Sequence, residues 1–289
     1  MDEDTLSPGD AADATKTKEE NAEEMMEEMK TLRRMMITSV IACPPQATRV
    51  GIMKRFLKAR EFDCSATFEM LKKHLEWRKS TFPILKTSFI QDPFYQVGAF
   101  QVCGKDRDGR PILVIRSGVF PVSTRSLEAC MRGFAAVAEM LVAKHGVDAR
   151  FTVIYDRTDF SMSENLDKEL LKSIGQVAQD NYPELLERCL VYPCPWYLRG
   201  LWRIVQYFFA PEVRRKVQFL GSASDIFEYV APDQLDSSLG GTADFTYNHK
   251  AFASSLPDKT VDTWIADVAD GEDCDAAKEK VDVGEEPRS

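Results

Sequence analysis

The charged residues best suited to recognising a ligand lie on either side of an aromatic stretch in the second half of the chain. Glu184 precedes this stretch, and Arg214, Arg215 and Lys216 follow it. Eight aromatic residues fall between positions 182 and 209, in a chain that is 10% aromatic overall. A carboxylate accepts hydrogen bonds from hydroxyl groups, and a basic side chain pairs with phosphate. An aromatic stretch, in contrast, favours contact with the apolar part of a ligand. The pattern therefore predicts a site for an amphipathic molecule, with a plain core helix as the alternative.

The motifs of common enzyme classes are missing from the sequence. No G-x-S-x-G is present, and the nearest stretch, Gly221-Ser222-Ala223-Ser224, lacks the second glycine. Cys194 and Arg199 stand one residue too close together for a Cys-x5-Arg phosphate loop. Neither a P-loop nor a G-x-G-x-x-G occurs, so a nucleotide has no glycine cradle. The sequence therefore predicts a protein that is not an enzyme.

Cysteine and histidine usage argues against a metal centre. The seven cysteines form no CxxC pair, and the chain has three histidines. An odd cysteine count without a signal peptide is typical of reduced thiols in a cytosolic protein.

No apolar run approaches the ~20 residues of a membrane span. We therefore expect membrane contact to be peripheral.

The net charge of −9 is concentrated at the two ends of the chain. Residues 1–40 carry eleven acids and five bases, and residues 266–289 carry nine acids and three bases, so each end has a net charge of −6. Subtracting both ends from the total leaves +3 for residues 41–265. A mildly basic body suits an anionic ligand or a membrane surface but is too weakly charged for nucleic acid.

The N-terminal part of the chain changes from polar to helical. Residues 1–22 are too poor in apolar side chains to fold alone, which predicts disorder. A helical period then places four apolar residues of segment 23–37 on one face, namely Met25, Met29, Leu32 and Met36. We expect this helix to pack on the domain; a methionine-rich helix for a partner or membrane is the alternative. Two more helices, one capped by Thr48 and one beginning after Asp63, complete a helical region over residues 23–85.

Strands and helices alternate from residue 98 onward. The predicted strands are 99–103, 111–115, 151–155, 189–192 and 217–220. Ser123 is predicted to start a long helix that ends at Gly146, and Ser161 with Glu164 is predicted to form a capping box for the next helix. Residues 222–230 are predicted to form another helix. A tail segment could be held on the body by Phe252, Leu256, Val261, Trp264 and Ile265. The alternation predicts an α/β fold with a mixed, largely parallel sheet flanked by helices and preceded by a small N-terminal helical bundle.

Residues 196–209 are predicted to form a helix that is apolar around most of its circumference. One stripe contains Leu198, Leu201, Trp202, Val205 and Phe209, and Ile204, Tyr207 and Phe208 extend the apolar surface beyond it. Such a helix is either buried on all sides or faces lipid. The pattern therefore leaves two possibilities, a helix that faces lipid and a plain core helix.

Several motifs, taken in order, resemble the CRAL-TRIO family of lipid-binding proteins. The motifs are M-K-R-F-L-K-A-R-E-F-D at 53–63, Asp106 to Pro111, Tyr155-Asp156, N-Y-P-E at 181–184, F-L-G at 219–221 and L-G-G at 239–241. The resemblance covers residues 48–245 and is greatest to the phosphatidylinositol-transfer branch that serves the secretory pathway. It implies a lipid-binding bowl over residues 90–245, followed by a C-terminal extension, 246–289, that ends in a disordered acidic tail.

The resemblance also implies which residues bind the lipid. The positions that support phosphatidylinositol head-group binding in the branch hold Arg60, Glu184 and Lys216 here. The predicted lid or cavity-lining residues are Trp196, Leu201, Trp202, Val205, Phe208, Phe209, Phe151, Val153 and Tyr155. The branch often has small hydroxyl residues for phosphatidylcholine where this chain has Phe151 and Val153, and it tends to have a hydroxyl and a base where this chain has Val213 and Glu61. The second exchanged ligand is therefore open: a sterol, another lipid, or none.

The resemblance implies a cytoplasmic, monomeric carrier of phosphatidylinositol with no metal and no cofactor other than the bound phospholipid. It would associate transiently with Golgi, endosomal or plasma membranes and transfer its lipid in vesicle trafficking or present it to a phosphoinositide kinase. Two alternatives stay open. One is a carrier of a sterol, isoprenoid, retinoid or tocopherol-like ligand. The other is a protein-interaction module with a vestigial pocket.

Overall fold

The computed structural model describes residues 23, 25–38, 50–82, 84, 93–124, 126–146, 148–196 and 198–256, with the backbone alone for residues 50, 198, 199, 201 and 205. Several predictions lie outside the described residues, namely the disorder of residues 1–22, the Thr48 cap, the tail residues Val261, Trp264 and Ile265, and the acidic tail.

In the described part of the N-terminal region, up to residue 84, three helices are present, as predicted. They are α1 (residues 25–38), α2 (Val50–Lys58) and α3 (Cys64–Thr81). Asp63 caps α3, because its carboxylate accepts a hydrogen bond from the backbone N–H of Ala66 at 2.9 Å. On α1, Met29, Leu32 and Met36 are buried in the main core. The apolar face of α1 is therefore a packing face of the domain.

Five strands form one mixed sheet whose spatial order is the same as their order in the chain. They are β1 (Phe100–Lys105), β2 (Pro111–Arg116), β3 (Phe151–Asp156), β4 (Leu186–Tyr192) and β5 (Val217–Phe219). β1 pairs with β2 antiparallel, and the pairs from β2 to β5 are parallel. The prediction of a mixed, largely parallel sheet is confirmed.

Helices cover the sheet and connect its parallel strands. They are α4 (Pro93–Gln96), α5 (Leu127–His145), α6 (Met162–Asn165), α7 (Lys168–Asn181), α8 (Leu198–Val205), α9 (Pro211–Lys216), α10 (Ala223–Ile226) and α11 (His249–Ser255). Short 3-10 turns lie at Val122–Thr124, Gln206–Phe208, Pro232–Gln234 and Ser237–Leu239. Within the described ranges, no helix combines the length and the apolarity that crossing a bilayer requires.

Two predicted helix starts are wrong by a few residues. Ser126, not Ser123, caps α5, since its hydroxyl accepts a hydrogen bond from the N–H of Ala129 at 3.3 Å. The capping box at Ser161 does not form: Ser161 makes no side-chain cap bond, and only the short α6 follows it. The long helix begins after Asp167, whose carboxylate accepts from Leu170 N–H at 2.9 Å. In each case the chain has a second residue of capping type a few positions further on, and that residue caps the helix.

Each face of the sheet has its own apolar core. On β3, Phe151 and Val153 face the core that includes the N-terminal helices, whereas Ile154 faces a smaller core beneath the C-terminal turns. Thr152 also points to the second face, where its hydroxyl donates to Asp106 at 2.7 Å. This alternation follows from the period of two along a strand. It decides which side chains can reach a cavity on the first face.

Candidate functional site

A cavity of about 640 Å³ lies on the first face of the sheet. Its walls come from β1 to β5 and from α5, α7, α8 and α9, and most of them are apolar. The three inward side chains of β3 all line it, namely Phe151, Val153 and Tyr155. Leu170, Ile174 and Ala178 of α7 form the opposite wall. A volume of this size is within the range of pockets that bury most of a ligand.

The three charged residues predicted to bind a head group all line this cavity. Glu184 lies just before β4 and Lys216 just before β5. Because β4 and β5 are adjacent and parallel, their N-terminal ends lie side by side at one end of the sheet. Arg60 comes from the turn between α2 and α3. A hydrogen bond of 2.8 Å from Arg55 of α2 to the carbonyl of Ala149 holds that helix near the start of β3.

Glu184 and Arg60 are oriented by local contacts. Arg150 bridges Glu184 at 3.3 Å and Glu187 at 3.0 Å, so the Glu184 carboxylate is held against a cation at the cavity edge. Glu184 has a φ of 61°, in the left-handed region where a non-glycine residue is strained. The guanidinium of Arg60 donates to the carbonyl of Ala59 at 2.9 Å. Among the described residues, none forms an ion pair with Lys216.

A buried polar network supports the segment that contains Glu184. The guanidinium of Arg78 lies 2.5 Å from the Glu139 carboxylate, and the hydroxyl of Tyr182 donates to that carboxylate at 3.0 Å. Burial and the nearby Glu139 charge raise the pKa of Tyr182 well above its ordinary value. The ring of His74 meets the side-chain oxygen of Asn181 at 3.0 Å, and burial lowers its pKa to about 3. These contacts thus fix the N-Y-P-E segment to α3 and α5.

Helix α8 and the turn after it lie over the aromatic side of the cavity. Trp202 stacks on Phe209 with ring centroids 5.8 Å apart and meets Phe219 of β5 edge-on at 5.4 Å. Trp202 and Phe209 line the cavity. Trp196 is 85% exposed, and neither it nor Phe208 is among the described lining residues. The side chains of Leu201 and Val205 lie outside what the structure describes.

The predicted continuous helix from Trp196 to Phe209 is wrong in its length. The α-helix ends at Val205 and gives way to the 3-10 turn at Gln206–Phe208. Outward-facing apolar residues remain on this segment, since Ile204 is 61% and Tyr207 is 72% exposed. The segment therefore has aromatic side chains both toward the cavity and toward solvent.

The end of this segment is attached to α7 at two points. The Gln179 side chain accepts a hydrogen bond from Ala210 N–H at 2.6 Å and donates to the Phe208 carbonyl at 3.5 Å. One turn earlier, a Cβ added to Gly175 would lie 2.8 Å from the Phe209 ring, so glycine lets the ring approach the helix closely. These contacts give the segment a fixed end at Phe208–Ala210.

Sequence reasoning missed the polar residues at the far end of the cavity. Arg116 is the last residue of β2, and Ser117 and Arg157 directly follow β2 and β3. All three line the cavity at the end of the sheet opposite Glu184 and Lys216. Asn165 and Asp167, beside them in the lining, come from the α6–α7 region. These residues could have been found from the sequence as charged side chains at the ends of apolar strands. The C-terminal ends of adjacent parallel strands lie side by side, so such side chains come together.

Comparison with known proteins identifies the domain type. The family model described as CRAL/TRIO domain matches residues 95–241. A CRAL-TRIO domain-containing protein of Schizosaccharomyces pombe is 30% identical over 210 residues, which are 69% of this chain and 47% of that protein. A phosphatidylinositol transfer protein, CSR1, of Eremothecium gossypii is 25% identical over 273 residues, 88% of this chain and 60% of that one.

Two further similarities extend this result. The phosphatidylinositol/phosphatidylcholine transfer protein SFH9 of Arabidopsis thaliana is 28% identical over 229 residues, 72% of this chain and 40% of that one. The crystal structure of Sfh5 has the same fold, with a TM-score of 0.61 at 16% identity over 79% of this chain and 90% of that one. The chain thus spans about half the length of the curated relatives it matches.

Proposed function

The chain belongs to the CRAL/TRIO family of lipid-binding and lipid-transfer domains, and from this premise we propose that it binds phosphatidylinositol in its cavity. In this proposal the protein transfers the lipid between membranes or presents it to a phosphoinositide kinase. The supporting observation is that Arg60, Glu184 and Lys216 all line one largely apolar cavity. Two relatives named as phosphatidylinositol transfer proteins support the same choice of lipid.

The head group is assigned to the end of the sheet at which β4 and β5 begin. Lys216 and Arg60 supply cations for the single phosphodiester charge, and Glu184 accepts hydrogen bonds from inositol hydroxyls. The ion pair of Glu184 with Arg150 holds this carboxylate in one place. Inositol hydroxyls can donate to Glu184 while the phosphate pairs with Arg60 and Lys216. A phosphate without the inositol ring would pair only with the two cations.

The acyl chains are assigned to the apolar space between β3 and α7. Each buried CH₂ contributes about 0.8 kcal/mol, so one chain of about 16 carbons costs on the order of 12 kcal/mol to expose to water. A carrier therefore needs an enclosed apolar volume and a cover that moves at a membrane. We assign that cover to α8 and the turn that follows it.

The exposed side of this cover is assigned to the membrane contact. Trp196, Ile204 and Tyr207 are apolar and exposed, and Arg203 on the same segment is exposed as well. Aromatic and basic residues together suit the interface of an anionic membrane. The cycle consists of docking, opening, exchange and closure, with no covalent step, and the protein acts as a monomer at the cytoplasmic surfaces of Golgi, endosomal or plasma membranes.

Lipid analysis of the purified protein tests this proposal. The protein is incubated with vesicles of mixed phospholipids and sterol, re-isolated, and extracted for mass spectrometry. We expect phosphatidylinositol to be enriched over its share in the vesicles. Recovery of other lipids with no enrichment of phosphatidylinositol would overturn the head-group assignment.

A second candidate ligand is an uncharged hydrophobic molecule such as a sterol, isoprenoid or retinoid. The observation in its favour is that Phe151 and Val153 place apolar side chains in the centre of the cavity. The same extraction distinguishes it, because such a ligand would be recovered in place of phosphatidylinositol. Its binding would also be insensitive to Lys216→Ala.

A further inference from the structure

A continuous row of ion pairs leads from the cavity to the turn between β1 and β2. It begins at Glu184, which lines the cavity, and passes through Arg150 to Glu187 of β4. Glu187 pairs in turn with Arg110 at 3.5 Å, and Arg110 pairs with Asp108 of the turn. Acids and bases alternate along the row, so each carboxylate in it lies next to a guanidinium.

The outer part of this row is attached to the sheet. The Asp106 side chain is buried, and its carboxylate accepts hydrogen bonds from the backbone N–H of Arg110 at 2.9 Å and from the hydroxyl of Thr152 of β3 at 2.7 Å. The Arg110 guanidinium lies 3.5 Å from the same carboxylate. Arg110 therefore gives Glu187 a fixed partner on one side, while Arg150 is its partner on the other.

Arg150 joins the two glutamates through separate nitrogen atoms. Its Nη1 atom donates to Glu187 at 3.0 Å, and its Nη2 atom donates to Glu184 at 3.3 Å. A guanidinium presents its donors in a rigid planar fork, so anchoring one arm at Glu187 sets where the other arm lies. Arg150 and Glu187 are both in the described part of the chain, and neither lines the cavity. Arg150 therefore acts on a bound ligand through Glu184.

The Glu184 side chain is constrained at its base and at its tip. Its backbone has a φ of 61°, in the left-handed region, and its Oε2 atom pairs with Arg150. In the described residues no hydrogen bond uses its other oxygen, Oε1. The guanidinium of Arg55 donates instead to the carbonyl of Ala149 at 2.8 Å. A carboxylate that is already held loses less side-chain entropy when it binds a ligand.

We propose that Arg150 is a positioning residue that sets the preference of the cavity for an inositol head group. Anchored by Glu187, it keeps the Glu184 carboxylate in place to accept hydrogen bonds from the inositol hydroxyls. Arg60 and Lys216 recognise a phosphodiester, which many phospholipids share, so the preference among phospholipids depends on the contact with Glu184. This inference rests on the proposed function, and it names the residue behind the selectivity of the same site.

Two lipids with the same acyl chains and the same charge test this role. Phosphatidylinositol has ring hydroxyls and phosphatidylmethanol has none, whereas each has a single phosphodiester charge. The affinity of the whole chain for each lipid is measured by displacement of a fluorescent phospholipid. Arg150→Met should lower the affinity for phosphatidylinositol about fivefold and change that for phosphatidylmethanol by less than about twofold. Equal losses for the two lipids would reveal a general effect on the fold and would overturn the role.

Two further variants of single arginines control this measurement. Arg132→Met is the matched control, because the Arg132 side chain on α5 is 43% exposed, against 39% for Arg150, and pairs with one glutamate, Glu128, at 2.8 Å. It should change neither affinity. Arg150→Lys keeps the charge but lacks the planar fork, so it should restore part of the preference for phosphatidylinositol.

The Glu184→Gln variant shows whether Arg150 acts through the carboxylate. In this background Arg150→Met should have little further effect on the binding of phosphatidylinositol, because the group that Arg150 positions is already gone. Losses that add independently in the double variant would contradict the proposal, since Arg150 would then act by another route.

The same measurement separates this role from the proposed function. If the unchanged protein does not prefer phosphatidylinositol to phosphatidylmethanol, the proposed function is wrong and the role of Arg150 falls with it. If the preference exists and survives Arg150→Met, the role alone is wrong and the proposed function stands.

Discussion

Lys216 and Arg215 are neighbours of the same charge, but Lys216 lines the cavity, whereas the Arg215 side chain is 70% exposed and lies 3.8 Å from Glu212. Lys216→Ala is expected to lower the affinity for phosphatidylinositol about tenfold, because it removes a charge-assisted contact with the phosphodiester. Transfer of labelled phosphatidylinositol between vesicles measures the effect. Arg215→Ala is the matched control and should stay within about twofold of the unchanged protein. Equal losses in both variants would point to membrane attraction and against a head-group contact.

His74 links stability to pH. In the folded protein its pKa is lowered to about 3 by burial, whereas in the unfolded chain it takes up a proton near pH 6.5. The unfolded state therefore binds more protons between these values, so the contribution of His74 to stability is complete above pH 6.5 and declines as the pH falls. We expect a loss of about 2 kcal/mol between pH 7.5 and 5, measured by urea unfolding.

The His74→Gln variant isolates this effect. It keeps a donor for Asn181 but has no proton to gain, so its stability should decline less over the same pH range. His145→Gln, at the exposed end of α5, is the control and should keep most of the pH dependence. A pH dependence that is identical in His74→Gln and the unchanged protein would contradict the assignment to His74.

At the scale of elements, Gln179 controls the attachment of the α8 segment to α7. Its two hydrogen bonds to the segment 208–210 each contribute on the order of 1 kcal/mol. Gln179→Ala is therefore expected to raise amide hydrogen exchange over residues 198–210 by about tenfold. Gln176→Ala, at an exposed position on the same helix, is the matched control. Unchanged exchange in Gln179→Ala would mean that the ring contacts alone hold the segment.

The order and type of the elements could be predicted because hydrophobic periods are local properties. The strands at 99–103, 111–115 and 151–155 are found within a residue or two of their predicted positions. Helix starts could not be chosen in the same way, since several capping residues compete within a few positions. Ser123 and Ser126, like Ser161 and Asp167, are all suitable caps by residue type, and which of them begins the helix depends on the whole fold.

The lining residues Glu184 and Lys216 at one end of the cavity could be predicted from motifs, and those at the far end could not. Glu184 and Lys216 belong to stretches with a recognisable order along the chain. Arg116 and Arg157 are single arginines that follow apolar strands, and they come together only because β2 and β3 are adjacent and parallel. The ion pair of the buried Arg78 with Glu139 could not be predicted either, because only the fold shows that the two residues lie opposite each other.

At the scale of the whole molecule, α1 is part of the domain that contains the cavity. Its residues Met29, Leu32 and Met36 are buried, and burial of one such side chain contributes about 1.5–3 kcal/mol. Deletion of residues 1–38 is therefore expected to lower stability by on the order of 4 kcal/mol and the melting temperature by about 10 °C. Deletion of residues 1–22 alone is the control and should change the melting temperature little. Similar melting temperatures for both deletions would contradict a structural role for α1.

The two edge strands of the sheet limit how strands of other molecules can pair with it. β5 has only three residues, so it offers a neighbouring molecule few free backbone groups to pair with. On β1, Gly104 lies so close to the Gln234 carbonyl that an added Cβ would be 2.1 Å away, and Gln101 donates to the carbonyl of Phe245 at 2.7 Å. The C-terminal turns thus cover that edge. In the proposed cycle the open cavity would expose apolar side chains, but the sheet would offer strands of other copies few free backbone groups to pair with, which would limit aggregation.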